Sequence, residues 1–385
     1  MLTSRISFVN YKTKKTKSTV IKKKLSDLIG DKNQIIQSLS KDYKNNFNKQ
    51  ILKKYKNSLN YRVIGMGGSS LGTKAIYNFL KHKIKKNFVF VDNLKNKKNQ
   101  NKQKKFTNII VSKSGNTLET IVNSNILIKK NNKNIFITEN KKNYLHLLAE
   151  KLKAEIVHHN NYIGGRYSVL SEVGMLPAEL MGLNVNNFKQ LNYLIKNKSF
   201  FNALISNVSS TLYFINNKKF NSIIINYDDK SENLFYWYQQ LIAESLGKNN
   251  TGLLPIISNM PKDNHSLMQL YLDGFKNNFF TFFYVKENGS EKINNYQILS
   301  SKNYLKNKNI SDIIFAQKKA TENTFRKKNI PFRSFEINKR DEKTLGELFC
   351  FFILETILIG KLLNLNPYDQ PAVELIKKET KRLLI

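Results

Sequence analysis

Two turns in this sequence combine glycine with hydroxyl side chains, each at the point where an apolar run ends and a helical pattern begins. The first, Val63–Gly72, reads VIGMGGSSLG, and the second, Val111–Thr120, reads VSKSGNTLET. Glycines let backbone N–H groups approach an oxyanion closely, and hydroxyls with the N–H groups of a helix N-terminus bind one without a metal. A single such turn is explained equally well as a helix cap. Two of them, at the carboxyl ends of strands in consecutive units of one sheet, favour a sugar-phosphate site where the strand order reverses.

Both nucleotide-binding motifs that begin with a glycine-rich turn fail here on specific residues. The dinucleotide fingerprint G-x-G-x-x-G, counted from Gly65, has Ser70 in place of its third glycine. The P-loop spacing is met by Gly67 and Gly72, but Thr73 stands where the lysine is required. The turns therefore point away from nucleotides and toward a small phosphorylated metabolite.

The chain of 385 residues carries a formal net charge of +36, which raises the question of a nucleic-acid partner. Its lysines are spread along the chain among asparagines and isoleucines, as in IKKNNKNIFITENKKN, and arginine is scarce. Arginine is the better reader of bases and phosphates, so this distribution favours a solvated surface over a nucleic-acid footprint. We predict no nucleic-acid partner, and leave the steering of small anions as a role for the charge.

The single cysteine and the apolar segment around it indicate the cellular compartment in which the protein works. Cys350 alone excludes an intramolecular disulfide and a cysteine-based zinc site. Its segment LFCFFILETILIGKLL is interrupted by Glu355 and Lys361, which predicts a buried helix rather than a membrane span. The N-terminal residues lack the apolar core of a secretion signal. We expect a cytoplasmic protein with no membrane partner.

Short apolar runs alternate with helical stretches from Tyr61 onward, which predicts parallel sheets covered on both faces. The strand candidates are RVIGM, NFVFVD, NIIVSKS, NIFITEN and AEIVHH, then SIIINYDD, GLLPIIS, FFTFFYV and DIIFAQ. We predict an α/β fold of two doubly wound units, a long apolar helix at Leu345–Leu363 and a closing helix at Pro371–Leu384. The predicted boundaries are 1–54 for an N-terminal segment of short helices, 55–185 and 186–344 for the two units, and 345–385 for the C-terminal helices that complete the site.

Further stretches give the chain a family resemblance. GGRYSVLSEVGMLP at Gly164–Pro177 and NPYDQPAVELIKK at Asn366–Lys378 resemble the two signatures of the glucose-6-phosphate isomerase family. QLIAESLGK followed by DNHSLMQ resembles its catalytic segment, and the two turns resemble the sugar-isomerase (SIS) domain. The resemblance covers residues 65 to 378. It implies two SIS-type domains of three αβα layers, and interconversion of glucose 6-phosphate and fructose 6-phosphate through ring opening, a C2–C1 proton transfer and a cis-enediolate.

The resemblance assigns roles to particular side chains. Glu244, at the end of an otherwise apolar helix, would be the base, although taken alone it is better explained as a surface carboxylate. Arg166 would stabilise the enediolate, while Lys377, and His265 supplied by the partner subunit of a homodimer, would open the ring. The implied substrate contacts are Gly68, Ser69, Ser112, Lys113, Ser114, Asn116, Thr117 and Gln240. Neither a metal nor an organic cofactor is implied.

The sequence also departs from the family pattern. Tyr368 and Ala372 replace the phenylalanine and glycine of the second signature, so we expect altered packing near Lys377. Asn116 stands where threonine is usual, which affects the phosphate pocket. The N-terminal region is short for the family, and peripheral helices are the expected loss.

Three other functions remain open at this stage. An isomerase acting on mannose 6-phosphate or an amino-sugar phosphate would differ only in pocket shape around C2. A sugar-phosphate-sensing SIS protein would keep the serine turns but would be free to lose the base. A nucleic-acid binder rests on charge alone, and salt-sensitive binding would be its test.

Overall fold

The computed structural model describes residues 1–13, 17–31, 33–95, 105–129, 131–287 and 289–385. Its strands are β1 Ile6–Val9, β2 Asn60–Ile64, β3 Asn87–Val91, β4 Thr107–Val111, β5 Lys133–Thr138, β6 Glu155–His158, β7 Asn221–Asn226, β8 Leu254–Asn259, β9 Asn278–Val285 and β10 Phe332–Ile337. Its α-helices are α1 Ser18–Gly30, α2 Gln34–Ser38, α3 Lys49–Tyr55, α4 Leu71–Phe79, α5 Leu118–Leu127, α6 Tyr144–Lys151, α7 Glu172–Met181, α8 Leu191–Leu194, α9 Lys198–Asn216, α10 Glu232–Leu246, α11 Met268–Asp273, α12 Ile310–Lys327, α13 Glu342–Leu362 and α14 Val373–Leu383. The strands form two five-stranded sheets, and the α/β class with two parallel-sheet units is confirmed.

The first sheet is wholly parallel and has the order β3-β2-β4-β5-β6. The chain leaves β2 through α4 to reach β3 on one side, and β4 then pairs on the other side of β2. The strand order therefore reverses between β2 and β4, and a crevice opens outside their carboxyl ends. The two glycine-containing turns follow these two strands, so the fold brings them to the crevice as expected.

The second sheet has the order β1-β10-β9-β7-β8 and is parallel except at one edge. There β1 pairs antiparallel with β10, with Ile6 opposite Ile337. The N-terminal segment, predicted to hold only short helices, thus also contributes an edge strand, and that part of the prediction is wrong. Ile6 is fully buried, and the Phe8 ring lies 4.7 Å from that of Phe335, so burial of two side chains stabilises this short strand in a lysine-rich surrounding.

The prediction of a strand at DIIFAQ is also wrong, because these residues lie inside α12. Asn309 and Asp312 form a reciprocal capping box: the Asn309 side chain accepts from the Asp312 N–H, and the Asp312 side chain accepts from the Asn309 N–H. This cap starts a helix at Ile310, whose apolar residue Ile314 packs on the outer face of the second sheet. A short apolar run alone does not distinguish a strand from one face of a helix.

Helices packed between the sheets join the two units through one continuous core. One face of the first sheet and one face of the second contribute to the same buried cluster, which also includes residues of α4, α7, α9, α10 and α13. α13 matches the predicted long apolar helix; it is buried from Thr344 to Gly360 and contains the buried Cys350. Among the described residues, no helix combines the length and apolarity needed to cross a membrane. The domain boundaries themselves stay a prediction.

Candidate active site

Glu244 and Gln240 lie one turn apart on α10, facing the turn that follows β2. The Gln240 Nε2 donates to Glu244 Oε1 at 2.9 Å, which orients the carboxylate. Gly67, with φ of +51°, lets the turn pass close to this pair, because a Cβ there would lie 2.8 Å from the Gln240 Nε2. The Gln240 Oε1 is buried and has no hydrogen-bond partner among the described residues.

Arg166 is buried beside Glu244, with only 2% of its surface exposed. It follows Gly164 and Gly165 in a 3₁₀ helix that runs from Gly165 to Leu170. All five N–H donors of its guanidinium have acceptors. Nε donates to Ser245 Oγ at 2.8 Å, and Nη1 donates to Glu244 Oε2 at 3.3 Å and to Gln370 Oε1 at 2.6 Å. Nη2 donates to the carbonyls of Pro367 at 2.8 Å and Asp369 at 3.0 Å. This guanidinium is held in one orientation.

Gly68 makes the approach of the arginine segment possible. A Cβ at this position would overlap the carbonyl of Gly165 and the nitrogen of Arg166, and all of these atoms belong to backbone. Glycine at 68 therefore brings the β2 turn against the Arg166 backbone. Ser69, the other residue predicted here, ends the short 3₁₀ helix Gly67–Ser69.

The second turn opens the N-terminus of α5. Ser112 Oγ and Thr117 Oγ1 lie 2.8 Å apart, and the Asn116 N–H donates to Ser114 Oγ at 3.3 Å. Thr117 is the residue before the helix and makes no side-chain cap bond. The hydroxyls and the first N–H groups of α5 thus form a compact group of donors of the kind that binds phosphate.

Two of the predicted substrate contacts also bond to other parts of the protein. Lys113 Nζ donates to the Asn161 carbonyl at 2.7 Å and lies 3.5 Å from the Glu139 carboxylate. The Asn116 Oδ1 accepts from the Tyr144 N–H at 3.2 Å, at the start of α6. The asparagine found in place of the family's threonine therefore contributes to fastening two helices at this turn.

His265 and Lys377 are both exposed, and among the described residues neither bonds to the other predicted site residues. His265 is exposed at the end of a 3₁₀ turn, Lys262–His265, that follows β8. Lys377 is exposed on α14 and pairs with Glu374 at 2.6 Å. Within the described ranges, neither side chain bonds to Glu244 or Arg166. The roles predicted for these two residues in ring opening stay a prediction.

The structure adds site residues that the sequence analysis missed. Gln370 contacts Arg166 although 204 positions separate them, and Ser245 contacts it across 79. Both lie inside stretches already quoted for the resemblance, next to residues singled out there. The ring of Tyr368, one of the departures from the family pattern, lies 5.9 Å from that of Tyr167, next to Arg166.

A cleft borders the carboxylate. It has a volume of about 630 Å³, and its lining includes Leu71, Lys74, Asp92, Tyr236, Gln240 and Glu244. The arrangement provides a carboxylate fixed by two donors, a buried arginine beside it and a phosphate-type turn across the same crevice. Such a site is suited to moving a proton on a small phosphorylated substrate while an oxyanion develops.

Two parallel-sheet units with paired serine- and glycine-containing turns define the SIS-type fold class expected from the sequence, and solved structures share this fold. A hypothetical protein from Thermus thermophilus superposes with a TM-score of 0.81 at 20% identity, covering 95% of this chain and 94% of that one. A glucose-6-phosphate isomerase from Chlamydia trachomatis superposes with a TM-score of 0.68 at 20% identity, covering 87% of this chain and 71% of that one. At these identities the likeness concerns the fold.

Sequence comparison narrows the class further. The chain is 34% identical to the glucose-6-phosphate isomerase of Methanocaldococcus jannaschii over 340 residues, with 83% of each chain covered. The family model for phosphoglucose isomerase matches residues 10–384. The chain belongs to the phosphoglucose isomerase family, and the resemblance noted in the sequence is confirmed.

Proposed function

We propose that this protein interconverts glucose 6-phosphate and fructose 6-phosphate. The observation that carries the proposal is the contact between Arg166 Nη1 and Glu244 Oε2 at 3.3 Å, beside the crevice that holds the phosphate-type turn. Family membership over residues 10–384 supports it, as do the names of the relatives. The reaction is a step of glycolysis and gluconeogenesis, and we accordingly assign the protein to the cytoplasm, where these sugar phosphates are made.

Each step of the proposed reaction is assigned to particular side chains of the site. Ser112, Ser114 and Thr117 with the start of α5 hold the phosphate. Glu244 removes the proton from C2 of the open-chain aldose and returns it to C1 of the cis-enediolate. Arg166 stabilises the negative charge that develops on the oxygen, an effect of about 3 kcal/mol if it equals a typical oxyanion donor. The unpartnered Oε1 of Gln240 accepts a hydroxyl of the sugar.

Ring opening requires an acid–base group besides Glu244, and we assign His265 of a second copy to this step. The exposure of His265 within a single chain supports that assignment. Large exposed apolar side chains on α14, among them Leu375, Ile376 and Leu383, support packing of this helix in an assembled homodimer. Lys377 lies on the same helix and is assigned to ring opening with His265.

The experiment that tests the activity is a coupled assay on purified protein. Fructose 6-phosphate is supplied, and glucose 6-phosphate is detected through NADP reduction by an added dehydrogenase. We expect turnover by the native chain, a loss of about 10²- to 10⁴-fold in Glu244→Gln, and full activity in Glu150→Gln, which changes an exposed carboxylate on α6. No turnover by the native chain, combined with thermal stabilisation by the sugar phosphate, would instead support a sensing protein.

Subunit complementation tests the assignment of His265. His265→Ala and Glu244→Gln subunits are unfolded together, refolded as a mixture and assayed. If the histidine crosses the interface, heterodimers regain one complete site, and about a quarter of native activity returns in a statistical mixture. If each chain uses its own histidine, no activity returns. Each variant refolded alone supplies the baseline.

A further inference from the structure

The guanidinium of Arg166 presents two edges with unlike surroundings. The edge formed by Nε and Nη2 bonds to the buried hydroxyl of Ser245 and to backbone carbonyls, including that of Pro367. The Nη1 edge bonds to side chains that remain partly accessible, those of Glu244 and Gln370. A substrate in the crevice can displace these side chains from Nη1, whereas the partners of Nη2, including the Asp369 carbonyl at 3.0 Å, belong to the backbone.

The buried edge belongs to a closed ring of hydrogen bonds. Arg166 Nε donates to Ser245 Oγ at 2.8 Å, Ser245 Oγ and Tyr167 Oη lie 2.8 Å apart, and the Tyr167 hydroxyl donates to the Pro367 carbonyl at 2.9 Å. Arg166 Nη2 donates to the same carbonyl at 2.8 Å and closes the ring. Ser245 and Tyr167 are both fully buried.

The direction of the bonds in this ring follows from counting protons. The tyrosine has one proton and gives it to the Pro367 carbonyl, so its oxygen is free to accept from the Ser245 hydroxyl. The serine oxygen in turn accepts from Nε. Burial raises the pKa of Tyr167, so the phenol keeps its proton in the working range. Every proton in the ring then has one acceptor, and the opposite direction would leave the serine proton unpaired.

We propose that Ser245 and Tyr167 are positioning residues that hold Arg166 so that Nη1 is the edge presented to the developing oxyanion. This inference rests on the proposed isomerase function and deepens it. Neither residue touches the substrate; both act through the guanidinium. Without the Ser245 hydroxyl, Nε loses its partner, and the guanidinium can rotate away from the position in which Nη1 faces Glu244. A misplacement of about 1 Å in such a site costs up to about 10²-fold in rate.

Ser245→Ala and Tyr167→Phe are compared with Ser38→Ala, which also removes a fully buried hydroxyl but one that bonds within its own helix. We expect kcat to fall about 10- to 100-fold in Ser245→Ala, less in Tyr167→Phe, and not at all in Ser38→Ala, with KM within about threefold throughout. In an Arg166→Lys background, Ser245→Ala should cause no further loss, because lysine has no Nε–H to hold. An equal loss in both backgrounds would overturn the proposal.

Ligand binding supplies a readout that does not depend on turnover. Calorimetry compares a phosphorylated hydroxamate, whose planar anionic end mimics the enediolate, with a phosphorylated sugar alcohol that has no such charge. Ser245→Ala should weaken the hydroxamate by the same factor as kcat/KM and leave the alcohol unchanged. Equal weakening of both ligands, or of neither, would contradict a positioning role. Inactivity of the native chain would refute the isomerase function itself, whereas an active native chain with an unaffected Ser245→Ala would refute only this inference.

Discussion

At the scale of single residues, the site is built from contacts that sequence motifs can indicate and from others that only the fold creates. Glu244 and Gln240 could be paired from their spacing of four on one helix. The bonds of Arg166 to Ser245 and Gln370 could not, because these residues meet only after α10 and the C-terminal segment have packed around the 3₁₀ helix at 165–170. The sequence predicts which residue types gather, and the packing decides which atoms bond.

Substitution of Gly68 tests the close approach at the β2 turn. A methyl group in Gly68→Ala would overlap the backbone at Gly165 and Arg166, so the arginine must shift. We expect a loss of about 1–3 kcal/mol in the free energy of unfolding, typical of overpacking. We also expect kcat to fall by a larger factor than the loss of folded protein alone would cause. Gly30→Ala is the matched control, since nothing lies within 4 Å of its added Cβ. Native kcat in Gly68→Ala, measured with the coupled assay, would show that the turn does not position Arg166.

At the scale of elements, periodicity and turn chemistry predicted most of the site-bearing structure. β2, α4, β4, α5 and α10 follow the apolar patterns, and the strand order places both turns at one crevice. The errors fell on β1 and α12, where short apolar runs are ambiguous and the deciding contacts are distant or capping interactions. The edge strand shows this clearly, because Arg5 and Thr3 beside it bond to Glu347, which is over 340 positions away.

The pair of Arg5 and Glu347 tests whether β1 is part of the stable fold. The Glu347 side chain is fully buried, whereas a quarter of the Arg5 side chain is exposed. Arg5→Met leaves a buried carboxylate with only its Thr3 bond, and we expect a loss of about 2 kcal/mol, below the range for a fully buried pair. Combining it with Glu347→Gln should recover part of that loss in denaturant unfolding. If Arg5→Met unfolds like the native chain, β1 does not contribute as described.

At the scale of the whole molecule, charge and buried titratable groups set the response to pH. Burial, together with the positive charge of Lys113, lowers the pKa of His159 from 6.5 to about 4, outweighing the hydrogen bond to the Asn160 backbone, which raises it. Between these values the unfolded chain binds more protons than the folded one. The stability linked to His159 is therefore present above pH 6.5 and is lost as the pH falls toward 4.

The size of this effect can be measured by comparing His159→Gln with the native chain. A pKa difference of this size corresponds to at most about 3 kcal/mol. The native chain should lose more stability than the variant between pH 6.5 and pH 4. Urea unfolding at each pH measures the free energy of unfolding of both proteins. Parallel curves for the two proteins would mean that His159 titrates alike in the folded and unfolded states.

The central claim is that Glu244 carries a proton between C2 and C1, and isomerisation in D₂O tests it most directly. The Glu244 side chain is 31% exposed, so a proton held on it can exchange with solvent before it is returned. We expect NMR to show deuterium at C1 of fructose 6-phosphate formed by the native chain, and neither isomerisation nor exchange above background in Glu244→Gln. Isomerisation that never introduces deuterium, or exchange at the native rate in the variant, would contradict the account.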